Sequence, residues 1–153
     1  MNLTERARQI IERILYITIA SVGEDGLPWN TPVYSSFDER YTFFWVSSPE
    51  SQHSKNIKAN PDVFLVIYDS TVAEGTGEGV YIKAKAYEMS DESEITKALM
   101  SAYGRKNKEP RSAHDFLGNN PHRVYKAIPE KVWMNTDEKI EGHHVDKRVE
   151  IEL

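Results

Sequence analysis

The chain has 153 residues, with 19 lysines and arginines against 24 aspartates and glutamates, a net charge of −5 and no cysteine. This length suits one domain with a single core, and the lack of cysteine excludes disulfides, thiolate metal sites and cysteine nucleophiles. The acidic balance argues against nucleic acid as a partner. Without a long apolar run or a secretory h-region, we expect a cytoplasmic protein and no membrane partner.

The spacing of apolar residues and of capping and turn residues predicts a series of short strands interrupted by helices. In chain order, the predicted elements are a helix at 5–13, strands at 15–22, 29–36 and 41–46, a short helix at 51–59, strands at 62–68 and 80–89, a helix at 90–104, a helical turn at 113–117, and strands at 123–128, 131–135 and 148–153. Residues 136–147 are polar, and we expect them to be mobile or held by another subunit.

Most of these strands are joined as hairpins, without the strand–helix alternation of a parallel sheet. The pattern predicts a mainly β (α+β) fold, in which a small antiparallel barrel carries helices at its ends. Pro32 cannot donate a hydrogen bond to a strand ladder, so we expect its strand at an edge or a bulge. An unpaired edge there would leave backbone groups free for a ligand.

The junction between residues 41–46 and the short helix is the strongest candidate for a binding site. Four polar side chains converge there: Ser47, Ser48, Gln52 and His53. With Ser51 as N-cap, the free amides and dipole of the helix would stabilise a phosphate. On spacing alone, a capped turn without a ligand is the simpler interpretation. Lys55 lies on a different helix face from His53, so we expect it at the surface.

Two other polar clusters carry weaker signals. His143 and His144 stand next to Asp146 but lack a third ligand at a set spacing, so we predict no metal site. Ser35 and Ser36 lie in no strained nucleophile turn, and no third group is placed to orient a histidine. We therefore assign no catalytic residue and no hydrolytic function.

Four segments resemble a known family and occur in its order. They are LYITIASVGEDGLPWNTPV, FFWVSSPESQHSKNIKANPDVFLVIYDS, GVYIKAKAYEM and PEKVWMN. These segments are similar to the FMN-binding split-barrel family, which includes pyridoxamine 5′-phosphate oxidase. The resemblance implies a six-stranded antiparallel split barrel with peripheral helices, spanning residues 1–153 as a single FMN-binding domain. It also implies a homodimer with the flavin at the subunit interface.

The resemblance extends to individual cofactor-binding positions. Thr31, Pro32 and Val33 would lie along the isoalloxazine and ribityl chain, and Val46 and Ser47 would face the phosphate. Gln52 and His53 fall where the oxidases use an arginine and a lysine, and Trp133 matches a tryptophan that flanks the flavin from the second subunit. Ser48, which the polar cluster at the helix start already places near the phosphate, completes the predicted cofactor site.

The departures from the family pattern limit the function that is implied. Gln52 and His53 would make weaker cationic contacts to the phosphate than an arginine and a lysine. Lys139-Ile140-Glu141 replaces the Arg-x-His pair that holds the pyridoxine substrate. We therefore predict an FMN-dependent oxidoreductase for an unidentified small-molecule substrate, but not a true pyridoxamine phosphate oxidase. Two alternatives stay open: a non-enzymatic protein that binds or stores flavin, deazaflavin or heme, and a structural dimer with an empty groove.

Overall fold

A computed structural model describes residues 2–153 and contains three α-helices, a short 3-10 helix and eight strands. The helices are α1 (Leu3–Arg13), α2 (Gln52–Ala59), α3 (Glu92–Arg105) and the 3-10 helix Ala113–Phe116. The strands are β1 (Tyr16–Val22), β2 (Pro28–Tyr34), β3 (Ser36–Phe37), β4 (Phe43–Ser47), β5 (Asp62–Tyr68), β6 (Gly79–Glu88), β7 (Arg123–Ile140) and β8 (His143–Ile151). Within residues 2–153, no helix is both long enough and apolar enough to cross a bilayer.

All strands form one antiparallel sheet in the order β2-β1-β5-β6-β7-β4-β3, and β8 pairs with β7. The predicted fold class is confirmed, with eight strands instead of six. The sheet curls so that β2 and β4 come into contact, but no ladder joins them among the described residues. Pro32 therefore lies on an edge strand, as predicted, and the barrel is split between β2 and β4.

Alternating side chains of the strands fill the barrel interior. On β1, Ile17 and Ile19 point inward and are almost fully buried, as is Leu65 on β5. A second cluster lies between β4 and α3 and includes Phe44, Leu99 and the other residues Met89, Ile95, Ala98, Ala113, Phe116 and Val124. Each large apolar side chain buried in this way contributes about 1.5–3 kcal/mol. Residues of α3 are thereby fixed against β4 beside the split.

The end of the chain differs from the sequence prediction. Residues 123–128 and 131–135 belong to the single strand β7, and most of the predicted loop 136–147 forms a hairpin with β8. Glu141 and Gly142 have φ of 50° and 83°, which suits the two-residue turn of a twisted hairpin. Beyond Asn135 only β8 pairs with β7, so both faces of the ribbon are solvated and the apolar alternation that marks a strand is missing.

Arg105 ties the end of α3 to the rest of the fold. Its guanidinium donates to four backbone oxygens at 2.7–3.0 Å: those of Ile11, Glu12, Ile14 and Ser35. Carbonyls at a helix C-terminus have no partner within the helix, so Arg105 satisfies those at the end of α1. It also lies 5.3 Å from the ring centroid of Phe37. One side chain thus joins α1, α3 and the chain between β2 and β3.

We expect Arg105→Ala to lower the free energy of unfolding by about 2 kcal/mol or more, because hydrogen bonds to a charged group are lost and several carbonyls stay unpaired. The matched control is Arg111→Ala, which removes an exposed ion pair to Asp115 and a contact with the Phe116 ring and should cost less than about 1 kcal/mol. Urea denaturation followed by circular dichroism measures both. Equal losses for the two variants would contradict the role given to Arg105.

Candidate functional site

A cavity of about 280 Å³ lies at the split between β2 and β4, where α3 covers it. One wall is the edge strand β2, from Thr31 to Tyr34. The opposite wall is apolar and consists of Phe44, Val46, Ala98, Leu99, Ala102 and Val124. Because β2 has a ladder partner on one side only, backbone groups along its outer edge are free to bind a ligand. The cavity thus combines a free strand edge with an apolar wall.

The polar end of the cavity is formed by Ser47 and His53. His53 is buried, with 7% of its surface exposed, and its Nε2 lies 2.8 Å from Ser47 Oγ and 3.3 Å from Ser51 Oγ. Burial lowers the pKa of His53 from its ordinary value of 6.5, because the charged imidazolium is poorly solvated there. His53 is therefore a neutral hydrogen-bonding group at neutral pH and does not supply a fixed positive charge.

Ser51 occupies the N-cap position of α2, as predicted, but its side chain makes no capping hydrogen bond. The hydroxyl instead donates to the Ser48 carbonyl at 2.8 Å and contacts Ser54 Oγ at 2.8 Å. It thus joins the polar cluster around His53 and leaves the first-turn amides of α2 without a side-chain acceptor.

Lys106, a cationic residue that the sequence did not predict as part of the site, lines the same cavity. Its Nζ lies 4.8 Å from the ring centroid of Tyr34 and 5.1 Å from that of Tyr103, which holds the ammonium near the cavity by cation–π attraction. In the sequence, Lys106 begins a charged stretch after α3 and is indistinguishable from surface lysines. Only the position of Tyr34 and Tyr103 around it sets it apart.

The structure brings together six of the nine predicted cofactor-binding residues: Thr31, Pro32, Val33, Val46, Ser47 and His53. Ser48 lies next to the cavity, where its Oγ accepts from the Glu50 amide at 3.2 Å. Gln52 is exposed on another side of α2 and donates to Asn56 Oδ1 at 2.8 Å. It borders a separate, open depression near the β1–β2 turn, together with Lys55 and Lys58.

Trp133 lies on the outer face of the sheet, away from the cavity of its own chain. Directly paired residues form a row across five strands, which runs Pro32, Thr18, Val66, Tyr81 and Trp133. Because neighbouring strands are about 4.8 Å apart, Trp133 is about 19 Å from Pro32 along the curved sheet, and it is not among the residues that line the cavity. Trp133 stacks on Phe64 with a centroid distance of 6.1 Å. One chain alone therefore does not place Trp133 at the cavity.

The two adjacent histidines lie on the exposed ribbon of β7 and β8. His144 Nδ1 is 3.7 Å from Asp137 Oδ2. Among residues 2–153, no group of three or more acidic, histidine or cysteine side chains is arranged to hold a metal ion.

Residues 3–135 match the family model described as pyridoxamine 5′-phosphate oxidase. The chain belongs to the pyridoxamine 5′-phosphate oxidase family. A search of curated proteins gives no match to the sequence.

Solved structures of this superfamily have the same fold at low sequence identity. A heme-binding protein from Mycobacterium smegmatis is 15% identical, with a TM-score of 0.72 over 98% of this chain and 58% of that chain. HutZ, the heme storage protein of Vibrio cholerae, is 15% identical, with a TM-score of 0.68 over 86% and 94%. A candidate 5-nitroimidazole antibiotic resistance protein from Bacteroides thetaiotaomicron is 16% identical, with a TM-score of 0.71 over 88% and 84%.

The lowered pKa of His53 predicts how stability depends on pH. Below about pH 6.5 the unfolded chain binds a proton at this histidine before the folded chain does, so stability falls as pH decreases towards the folded-state pKa. Above about pH 6.5, the contribution of His53 to stability is fully present. As pH decreases from about 6.5 towards the folded-state pKa, the free energy of unfolding should decline in the wild type and decline less steeply in His53→Gln.

The matched control for this experiment is His122→Gln, which removes an exposed histidine. If His53→Gln and the wild type lose stability in parallel on acidification, His53 is not a buried neutral group.

Proposed function

We propose that the chain binds FMN at the split as a homodimer and acts as a flavin-dependent oxidoreductase on a small-molecule substrate. The observation that carries this proposal is the cavity between β2 and β4, with an apolar wall, a free strand edge and a polar end. FMN has matching parts, since a flat apolar ring system is joined through a polar chain to a phosphate. Membership of the pyridoxamine 5′-phosphate oxidase family supports the same ligand.

In this proposal, each part of the cavity has a role toward FMN. The wall around Leu99 and Val46 would exclude water from one side of the ring, and the edge of β2 would bind its polar atoms. Ser47 and the first-turn amides of α2 would bind the phosphate, as helix N-termini bind anions. FMN would supply the transfer of hydride or electrons, while the protein supplies binding and orientation.

The proposed phosphate site differs from one built on arginine and lysine. Gln52 points to the open depression, and His53 is neutral because it is buried. Lys106 is the cationic residue that lines the cavity, so it would provide the long-range attraction for an anionic ligand.

Oxidation of pyridoxamine phosphate is not part of the proposed function. Lys139-Ile140-Glu141, which stands in place of the Arg-x-His pair, lies at the tip of the β7–β8 ribbon. All three residues are exposed, and Glu141 is part of the hairpin turn. The chain therefore carries no matching pair of cations for that substrate at these positions.

The proposed dimer forms through the outer face of the sheet around Trp133. The outer face of an antiparallel sheet is usually polar where water covers it, but this one carries a half-buried group of mostly apolar side chains: Thr18, Ala20, Phe64, Val66, Tyr81 and Trp133. Four of these residues, Thr18, Val66, Tyr81 and Trp133, are directly paired across the strands, and their row ends at Pro32 beside the cavity. A second copy packed on this face would cover the apolar surface and bring its Trp133 toward the cavity, which the chain's own Trp133 does not reach.

A second candidate function is binding or storage of a planar cofactor without catalysis, with heme or a deazaflavin as the ligand. The apolar wall favours it, and no aspartate or glutamate lines the cavity to act as an acid or base. Two of the similar structures are described as heme-binding and heme storage proteins.

We expect Ser47→Ala to weaken FMN binding about tenfold or more, because it removes a hydrogen-bond partner of the phosphate. Lys106→Ala should also weaken binding, because the long-range attraction for the anion is lost. The matched control is Lys55→Ala: this lysine is exposed and pairs with Glu50 at 3.2 Å, so its loss should change the affinity less than about twofold. Quenching of flavin fluorescence measures all three. Equal losses for Lys55→Ala and Lys106→Ala would contradict the role given to Lys106, and an unchanged affinity in Ser47→Ala would contradict the proposed position of the phosphate.

We expect Trp133→Ala to weaken FMN and riboflavin binding by the same factor and to lower the dimer fraction, because Trp133 would contact the ring in the partner's cavity and not the phosphate. Trp29→Ala is the control, since it removes an exposed tryptophan that does not line the cavity. Analytical ultracentrifugation and flavin titration give the two readouts. A monomer that binds FMN with unchanged affinity would rule out the shared site.

A further inference from the structure

The polar end of the cavity contains a buried histidine whose hydrogen-bond partners are hydroxyl groups. His53 Nε2 contacts Ser47 Oγ and Ser51 Oγ, and Ser51 in turn contacts the buried Ser54. Hydroxyl groups can donate or accept, so this network can rearrange without movement of the backbone. The arrangement accepts either protonation state of the imidazole, provided that its charge is compensated.

The directions of the hydrogen bonds limit what each group can do. Ser51 Oγ donates to the Ser48 carbonyl, so its one proton is already used and it does not also donate to His53. Ser47 Oγ, at the shorter distance of 2.8 Å, is the hydroxyl that can donate to a neutral Nε2. Ser47 also lines the cavity, so the same proton is within reach of a ligand.

We propose that His53 takes up a proton when an anionic group enters the Ser47 end of the cavity, so that the anion and the proton bind together. The Ser47 hydroxyl turns from Nε2 to donate to the anion, and Nε2, now protonated, donates to Ser47 Oγ. The proton comes from solvent, and the negative charge of the ligand compensates the buried imidazolium. This inference deepens the proposed function, on which it rests, and names its ligand class as phosphate monoesters bound with proton uptake.

The charged groups around His53 do not provide this compensation in the free chain. Lys55 of α2 pairs on the solvent side with Glu50, which precedes the helix. Across β4, Arg123 is the register partner of Ser47, and Lys106 lines the cavity from the end of α3. Burial is the one cause of the lowered His53 pKa, with no contribution from a charge.

On the far side of the serine cluster, the Tyr125 hydroxyl lies near Ser54 and donates to Glu88 at 3.2 Å. Burial raises the pKa of Tyr125 to about 12, so this phenol stays neutral throughout the pH range in which a histidine titrates. A carboxylate that could charge His53 in the absence of a ligand is therefore separated from it by Tyr125 and two serines.

The consequence is a dependence of FMN affinity on pH. Between the His53 pKa of the free chain and that of the complex, FMN affinity should fall tenfold for each unit of pH increase. Riboflavin lacks the phosphate and should show no such dependence. A free phosphate monoester has a second pKa of about 6, so measurements above about pH 7 report His53 and not the ligand.

The test is calorimetric titration of the whole chain with FMN and with riboflavin at about pH 7.5, in buffers of different ionisation enthalpy. We expect uptake of a large fraction of one proton for each FMN bound and none for riboflavin. His53→Gln should bind FMN without uptake, whereas Lys55→Ala should keep the full uptake. Ser47→Ala is the second variant if His53→Gln does not fold, and it should also lose the uptake.

Each outcome separates this inference from the proposed function. FMN binding without proton uptake, or uptake that persists in His53→Gln and Ser47→Ala, would overturn the role of His53 and leave FMN binding intact. If FMN does not bind, the proposed function fails. The His53 imidazole is then followed by NMR with inorganic phosphate, where a raised His53 pKa retains the inference and an unchanged one overturns it.

Discussion

The barrel does not close between β2 and β4, and the gap between these strands creates the cavity. A closed ladder would use the backbone groups of both strands and leave no space between them. In this chain β2 carries Pro32, which cannot donate to a ladder, and β4 is paired on its other side with β7. The gap is filled from outside by α3, whose small and apolar residues leave a cavity instead of a packed interface.

The end of α3 contributes both to stability and to the lining of the cavity. Arg105 fixes this end to α1 and to the chain after β2, and the next residue, Lys106, lies at the cavity between two tyrosine rings. A lysine on a free loop would lose much side-chain entropy on binding an anion. Tyr34 and Tyr103 already restrict the side chain of Lys106, so the proposed binding of an anion would cost less side-chain entropy.

The sequence alone was sufficient to predict a strand where one face of that strand is buried. Ile17 and Ile19 alternate with partly exposed residues, and this spacing located β1. The β7–β8 ribbon has no buried face beyond Asn135, so its strands left no apolar pattern. The residues that line the cavity divide in a similar way: Ser47 and His53 are close in the chain and were predicted together, whereas Lys106 reaches the cavity only through tertiary packing. The direction of Gln52 depends on its bond to Asn56, which spacing does not reveal.

The most direct test of the central claim is a parallel titration of the purified chain with FMN, riboflavin and heme, with the oligomeric mass recorded on the same samples. The split cavity, the Ser47 end and the outer face around Trp133 together predict a dimer that binds FMN more tightly than riboflavin and more tightly than heme. Tight heme binding with no preference for FMN would contradict the claim in favour of the storage function. A monomer that binds none of the three would contradict both.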